Sequence, residues 1–351
     1  MNNYVEDGIN LLKQMIATPS FSREEDEVAT IIEKFLKSKG VETHRLKNNV
    51  YAYNKYYDAS KPTILLNSHH DTVRPNANYT KDPFHAEDID GKIYGLGSTD
   101  AGGCLVSLIA TFLHFYEQKN LKYNLLIATT AEEEVAGANG IELLMKHVEN
   151  VDFAIVGEPT QMQLAIGEKG VMVLECTSNG IPGHAARDEG ENAIYNALED
   201  ILWFKNYKFP KKSELFGDVK MSVTLINSGT QHNVIPSVCE FVVDVRVTDA
   251  YTHEEILDIV RKHVQCEVKP RSTRLRPSKI DVSHPVVQAG IKIGRETFGS
   301  PTTSDQTLLN IPSVKIGPGK SARSHSANEY IYRSEIEEGI DIYCKILNEL
   351  V

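Results

Sequence analysis

The sequence predicts an α/β protein in two parts: a mostly parallel sheet covered by helices, and a smaller α+β unit inserted into it. Three observations carry that expectation. Short apolar runs alternate with helical patterns over residues 1–167 and again over 279–351, and strands separated by helices form parallel sheets buried on both faces. Residues 168–278 instead follow the order β-α-β-β-α-β, that of a ferredoxin-like two-layer domain. The length, 351 residues, also exceeds what a single hydrophobic core usually serves.

Each element has its own signal. Ser22 and Glu25 have capping-box spacing ahead of an apolar face formed by Val28, Ile31, Ile32, Phe35 and Leu36, which Gly40 ends. Residues 63–67 read as a strand running into Ser68, His69, His70 and Asp71, and 101–118 as a buried helix. Residues 123–130 form a strand that leads into Glu132, Glu133 and Glu134; after a helix around 141–148, the strand 153–157 ends at Glu158. In the insertion, strands are expected at 170–178, 221–227, 240–247 and 266–269, with helices at 191–204 and 254–264. A Pro/Arg/Ser-rich linker, 270–278, leads back to a helix at 285–299 and a strand at 312–317. The last helix carries Tyr332, Ile336, Ile340, Tyr343 and Leu347 at helical spacing.

Composition narrows the function classes. A net charge of -11 argues against nucleic acid or an anionic membrane as partner. The five cysteines are widely spaced with no C-x-x-C, which disfavours a disulfide framework or a thiolate metal cluster. The opening residues show no basic stretch leading into an apolar one, and the longest apolar run, 104–113, is too short to span a bilayer. A cytoplasmic protein is expected.

The chemistry-bearing residues fall just after predicted strands, where ligands bind in open α/β sheets. His69, Asp100, Glu133, Glu134, Glu158 and His325 together offer two imidazoles and four carboxylates. That inventory suits two divalent cations with one glutamate left over as a general base. His69 and Asp71 lie two apart, so in an extended segment they share a side and Asp71 can accept the second ring N–H. Plainer readings of each motif stay open at this point: a polar turn at 69–71, a helix cap at Asp100, a solvated acidic turn at 132–134 and an idle loop histidine at 325.

The stretches Ser68-His-His-Asp-Thr-Val, Gly95-Leu-Gly-Ser-Thr-Asp-Ala-Gly-Gly, Ala131-Glu-Glu-Glu-Val, Val156-Gly-Glu-Pro-Thr and Ser324-His-Ser-Ala-Asn-Glu-Tyr run in one order along the chain. With Gly183-His-Ala-Ala and Asn233-Val-Ile-Pro in the insertion, they resemble the M20 metallopeptidase and deacylase family. The likeness is greatest to the acetylornithine deacetylase and succinyl-diaminopimelate desuccinylase branch. The resemblance implies a zinc-hydrolase catalytic domain, 1–167 with 279–351, and an inserted domain, 168–278, that makes a homodimer. It implies that Asp100 bridges two zinc ions (cobalt or manganese being alternatives), with His69 and Glu158 completing one site and Glu134 and His325 the other. Glu133 would be the general base and Asp71 the orienting carboxylate. His184 would reach the partner's active site to stabilise the oxyanion, Asn233 and Arg246 would hold a substrate carboxylate, and Gly317 and Gly319 would line the substrate. Taken by themselves, His184 also suits a simple turn, and Arg246 a surface pair with Asp244 or Asp249. Three departures from the family pattern stand out: Ser68 replaces a glycine, the acidic triplet begins with Glu132, and its following glycine is delayed to Gly137.

The expected reaction is hydrolysis of the amide of an N-acyl amino acid, N-acetyl- or N-succinyl-ornithine or -citrulline, in arginine biosynthesis. The alternatives are a succinyl-diaminopimelate-type desuccinylase, a dipeptidase or aminopeptidase, and, from another class, a metal-bearing dimeric binding protein. Acyl specificity is expected to depend on the loops around 303–306 and 317.

Overall fold

The computed structural model describes residues 2–187 and 189–351. The chain divides into two compact units, Met1–Gly167 with Lys279–Phe298 and Ser304–Val351, and Glu168–Ser278 with Gly299–Thr303.

In the first unit, four parallel strands lie side by side in the order Asn124–Thr130, Thr63–His69, Val151–Val156 and Ser313–Lys315. The antiparallel strands Asn49–Tyr53 and Leu164–Glu168 border them. Every residue of Thr63–His69 and Asn124–Thr130 is buried, which explains their unbroken apolar or small-polar character without alternation. Helix Cys104–Phe115 is buried at every position except His114. Its sequence, CLVSLIATFLHF, is apolar all round, as an enclosed helix requires. The register pairs His69 with Thr130. The two strands therefore end level, and the turns that follow them open at the same edge of the sheet.

Three expected elements differ. Ser22 does not cap the second helix, Asp26–Ser38; its hydroxyl instead donates to Asp71 Oδ2 at 2.7 Å. The buried helix begins at Cys104 and not at 101, because Ser98–Gly103 forms a wide irregular turn. A Cβ on Gly102 would stand 2.5 Å from the Gly97 carbonyl oxygen, and one on Gly103 2.2 Å from Ile331, so only glycine lets this turn close. The helix expected over 285–299 spans only Pro285–Lys292. Gly294, at φ +81°, takes the left-handed conformation that ends helices, and Thr297–Ser300 is a strand.

The second unit has a four-stranded antiparallel sheet in the order Lys220–Ser228, Val238–Val247, Gly170–Asn179 and Glu267–Pro270. Numbered along the unit this is 2-3-1-4, the ferredoxin-like order. Burial alternates strictly along the two central strands. Met172, Leu174, Phe241, Val243 and Val245 meet Ala197, Phe204, Ile256 and Val260 of helices Ala193–Asn206 and His253–His263 in one core. Thr252 and Glu255 form the capping box of the second helix.

Candidate metal centre

Residues far apart in the chain meet at the carboxyl edge of the parallel sheet. His69 is the last residue of its strand, 1% exposed, and its Nδ1 donates to the backbone carbonyl of Asp71 at 2.9 Å. The Asp71 carboxylate stands somewhat farther from that nitrogen, 3.4 Å, so the carbonyl fixes the tautomer and the carboxylate adds charge. Nε2 is thereby left facing the site, 3.2 Å from Asp100 Oδ1, 3.5 Å from Glu158 Oε1 and 3.9 Å from Glu133 Oε2. On the other side, His325 Nε2 lies 3.0 Å from Glu134 Oε2 and 3.5 Å from Asp100 Oδ2. The two oxygens of Asp100 thus face two different imidazoles.

Most of these separations are long for hydrogen bonds. They match ligands sharing an ion: metal–ligand bonds of about 2.0–2.1 Å in a tetrahedron put neighbouring donors about 3.3 Å apart. His69, Asp100 and Glu134 each offer an atom within 4.8 Å of the others. These residues could hold divalent cations, His69 and Glu158 lying toward one oxygen of Asp100, and Glu134 and His325 toward the other. Glu133 is left over from both sets.

The acidic turn resolves into three directions. Glu132, at φ +58°, turns away, and its carboxylate accepts Asn139 Nδ2 at 2.7 Å. Glu133 faces His69, and Glu134 faces His325. Asp71 holds this turn, its Oδ1 accepting the Glu133 N–H at 3.0 Å and its Oδ2 the Glu134 N–H at 3.1 Å. Sequence spacing had pointed Asp71 only at His69; the contact across 62 residues has no local signal. Ser68, in place of the usual glycine, donates to the Gly157 carbonyl at 2.8 Å and so ties the His69 strand to the loop bearing Glu158.

Further residues support the site. Ser324 Oγ donates to Asp100 Oδ2. Glu329, 1% exposed, accepts the backbone N–H groups of Gly97, Thr99 and Asp100 at 3.1, 2.7 and 2.9 Å and shapes the glycine turn. It belongs to the His325 motif, where its position gave no hint of this role. Asp305, 2% exposed, lies close by, bonded to Asn67 and Thr130. Gly317, whose Cβ would meet the Glu158 carbonyl oxygen at 2.6 Å, packs against the Glu158 loop. Gly319, at φ +87°, accepts the Gln161 N–H at 2.8 Å.

The electrostatics are those of a cation site. Burial alone would depress the His69 imidazole, but Glu133, Asp100, Asp71 and Glu158 together hold its pKa well above the ordinary value. His325 is raised to about 9, chiefly by its hydrogen bond to Glu134. Burial pushes Glu133 well above the usual carboxylate range, against the pull of His69, and the charges of Glu158, Asp305 and Glu134 add to it. Burial opposes ionisation of Asp100 as well, yet His69, Ser324 and His325 keep its pKa below the ordinary value. Burial also raises Glu329, to about 8. Burial takes the His70 ring, which has no hydrogen-bond partner, down to about 4.

The remaining expected residues lie in the second unit. A two-stranded ribbon pairs Gly183 with Ile235 and His184 with Val234, and Ala185 N–H donates to the Asn233 carbonyl at 3.0 Å. His184 and Asn233 are therefore neighbours. Arg246 is not with them: it lies at the opposite end of the sheet, opposite Val171 and Lys220. Its guanidinium grips Asp244 with two hydrogen bonds of 2.8 and 3.1 Å.

Known proteins resemble this chain along nearly its whole length. The chain is 27% identical to a succinyl-diaminopimelate desuccinylase of Rickettsia felis, over 98% of this chain and 100% of that one. It is 25% identical to succinyl-diaminopimelate desuccinylase 2 of Ruegeria sp. strain TM1040, over 98% and 95%. These names belong to the second of the expected substrate classes, not to the ornithine and citrulline derivatives placed first. Solved structures share the fold. The aminopeptidase PepT of Bacillus cereus superposes with a TM-score of 0.77 at 18% identity, covering 99% of this chain and 98% of that one. The Bacillus subtilis YXEP protein, described as a dinuclear metal-binding peptidase, does so with 0.74 at 18%, covering 99% and 98%. The profile of peptidase family M20/M25/M40 matches residues 65–349. The chain belongs to that family, whose members are metal-dependent amide hydrolases.

Proposed function

We propose that this protein removes the acyl group from an N-acyl amino acid, with an N-succinyl-diaminopimelate-type substrate placed first. One observation carries the hydrolytic reading: the Asp100 carboxylate lies between two imidazoles, with Glu133 beside them and surplus to both ligand sets. The substrate class rests on the relatives that align along almost the whole chain.

Two divalent cations, zinc by the mixed imidazole and carboxylate donors, would polarise the amide carbonyl and make water acidic enough to react near neutral pH. Glu133, held by Asp71 through its backbone N–H, takes a proton from the attacking water and returns it to the leaving amine. Arg246 binds a substrate carboxylate by exchanging its partner Asp244.

We further propose a homodimer whose copies complete each other's sites. Helix Ala193–Asn206 exposes Tyr195, Leu198 and Leu202 at helical spacing, and the edge strand Lys220–Ser228 exposes Leu225 and Ile226. Such apolar exposure on a helix and an adjoining edge strand calls for a partner. From Val238, beside the His184 ribbon, to Arg246 are eight strand residues, roughly 26 Å. One small substrate cannot span that distance, so in this proposal His184 and Asn233 attend a different substrate molecule of the dimer from the one that Arg246 holds. The five free cysteines suit a reducing compartment such as the cytoplasm.

The test is a product assay on the zinc-loaded protein with N-succinyl-diaminopimelate, the N-acetyl and N-succinyl derivatives of ornithine and citrulline, and dipeptides. Release of diaminopimelate is expected to be fastest, and Glu133→Gln should retain metal and lose turnover. Faster release of ornithine or citrulline would replace the substrate assignment; no hydrolysis of any amide would refute the reading.

A further inference from the structure

The polar network beneath the metal centre contains a carboxylate that the proposed reaction does not use. Asp305 opens the short turn Asp305–Leu308. Gln306 Nε2 donates to the Ser313 carbonyl at 2.7 Å, and Ser304 Oγ accepts the Gln306 N–H at 3.2 Å. The turn is thus fixed to the strand Ser313–Lys315 on one side and capped on the other. From this base, Asp305 Oδ2 accepts Asn67 Nδ2 at 2.8 Å and Thr130 Oγ1 at 2.7 Å.

Those two donors belong to the two adjacent strands that supply the site. Asn67 precedes His69 by two residues and so lies on the same face of its strand. Thr130 pairs with His69 in register and is the last strand residue before the turn that carries Glu133 and Glu134. A single oxygen therefore joins both strand ends one step back from the metal ligands. The backbone ladder between the two strands closes here, its last bond running from the His70 N–H to the Thr130 carbonyl at 2.9 Å. An acceptor that takes both side-chain donors at once adds a tie beyond the ladder. Burying a carboxylate is expensive unless its hydrogen bonds compensate, so a purely space-filling role would be served better by a neutral side chain.

We propose that Asp305 is a positioning residue of the metal centre, fixing the separation between His69 and the Glu133–Glu134 turn. The proposal rests on the two-cation reading of the site, and its test has one arm that needs no turnover.

The experiment compares wild type, Asp305→Asn, Asp305→Ala and Thr130→Val by zinc titration of the metal-stripped protein, thermal unfolding, and kcat and KM with whichever amide the wild type hydrolyses. Side chains behind metal ligands typically contribute about 10–100-fold in affinity or activity. Asp305→Ala should lose that factor in zinc affinity and in kcat, with KM changed by no more than about twofold. Asp305→Asn keeps an oxygen that can accept from both donors, so it should recover most of the loss. Thr130→Val removes the 2.7 Å bond to Asp305, along with the longer approaches of the same hydroxyl to Asn67 Oδ1 at 3.2 Å and the Ser68 carbonyl at 3.4 Å, while keeping the side chain's shape, and should lose about 10-fold; it keeps the proposal testable if Asp305→Ala fails to fold. Wild-type zinc affinity and kcat in folded Asp305→Ala or Thr130→Val would overturn the proposal. So would an Asp305→Asn protein as impaired as the alanine variant, because charge and not hydrogen-bond geometry would then be responsible. If the wild type hydrolyses no amide, the functional reading fails, while the zinc titration still decides the role of Asp305.

Discussion

Replacing Asp71 by asparagine removes one carboxylate oxygen from the point where three donors converge. The retained oxygen is best placed at Oδ2, where it serves both Ser22 Oγ and the Glu134 N–H. The new amide NH2 then faces the Glu133 N–H, which loses its 3.0 Å acceptor, and also faces His69 Nδ1. A hydrogen bond to a charged group contributes about 1.5–3 kcal/mol. At about 1.4 kcal/mol per tenfold in rate, its loss from the general-base turn predicts a fall in kcat of about 10- to 150-fold. Metal should stay bound, because His69 keeps its bond to the Asp71 backbone carbonyl. KM should also hold, because the turn orients the base and does not grip substrate. Steady-state kinetics with zinc content measured on the same samples checks this. A variant with full zinc and wild-type kcat would refute the assignment of Asp71 to the base; a fall in rate matched by zinc loss would move its role to the ligand His69.

Two further predictions concern protons and subunits. Both imidazoles of the metal-free site hold their protons above the ordinary histidine range, whereas a metal takes neutral imidazole. Zinc binding near neutral pH should therefore release protons, and affinity should rise with pH through the titration of His325 at about 9; calorimetry in buffers of different ionisation enthalpy would contradict this by showing no release. Mixing Glu133→Gln with His184→Ala protein, each inactive alone, should restore about a quarter of wild-type activity, since half the dimers would then hold one intact site. No recovery after confirmed subunit exchange would place His184 in its own copy's site.

The sequence exposed what repeats or follows a period. Alternation along Gly170–Asn179 and Val238–Val247 and the unbroken apolar runs at Thr63–His69 and Asn124–Thr130 reveal which faces are buried, and the order of strands and helices then limits the topology. Residues at strand ends were legible as site candidates for the same reason. What stayed hidden depends on contacts between distant segments. Ser22 has the spacing of a helix cap but finds Asp71, 49 residues away, and Asp305 meets Asn67 across 238 residues. The roles of Glu132, Glu133 and Glu134 also could not be separated by spacing, because the left-handed backbone at Glu132 redirects the two residues after it. Arg246 shows the reverse case: the plain surface pairing with Asp244, visible two residues away, is the one the structure contains.

The most direct measurement is the divalent metal content of the protein, followed through chelation and reconstitution alongside amide hydrolysis. The account predicts two ions per chain at full activity, loss of both activity and metal on chelation, and recovery of both when zinc is restored. An Asp100→Ala variant should bind neither ion tightly. Full hydrolysis by metal-stripped protein, or a wild type that holds no divalent ion under any of these conditions, would contradict it.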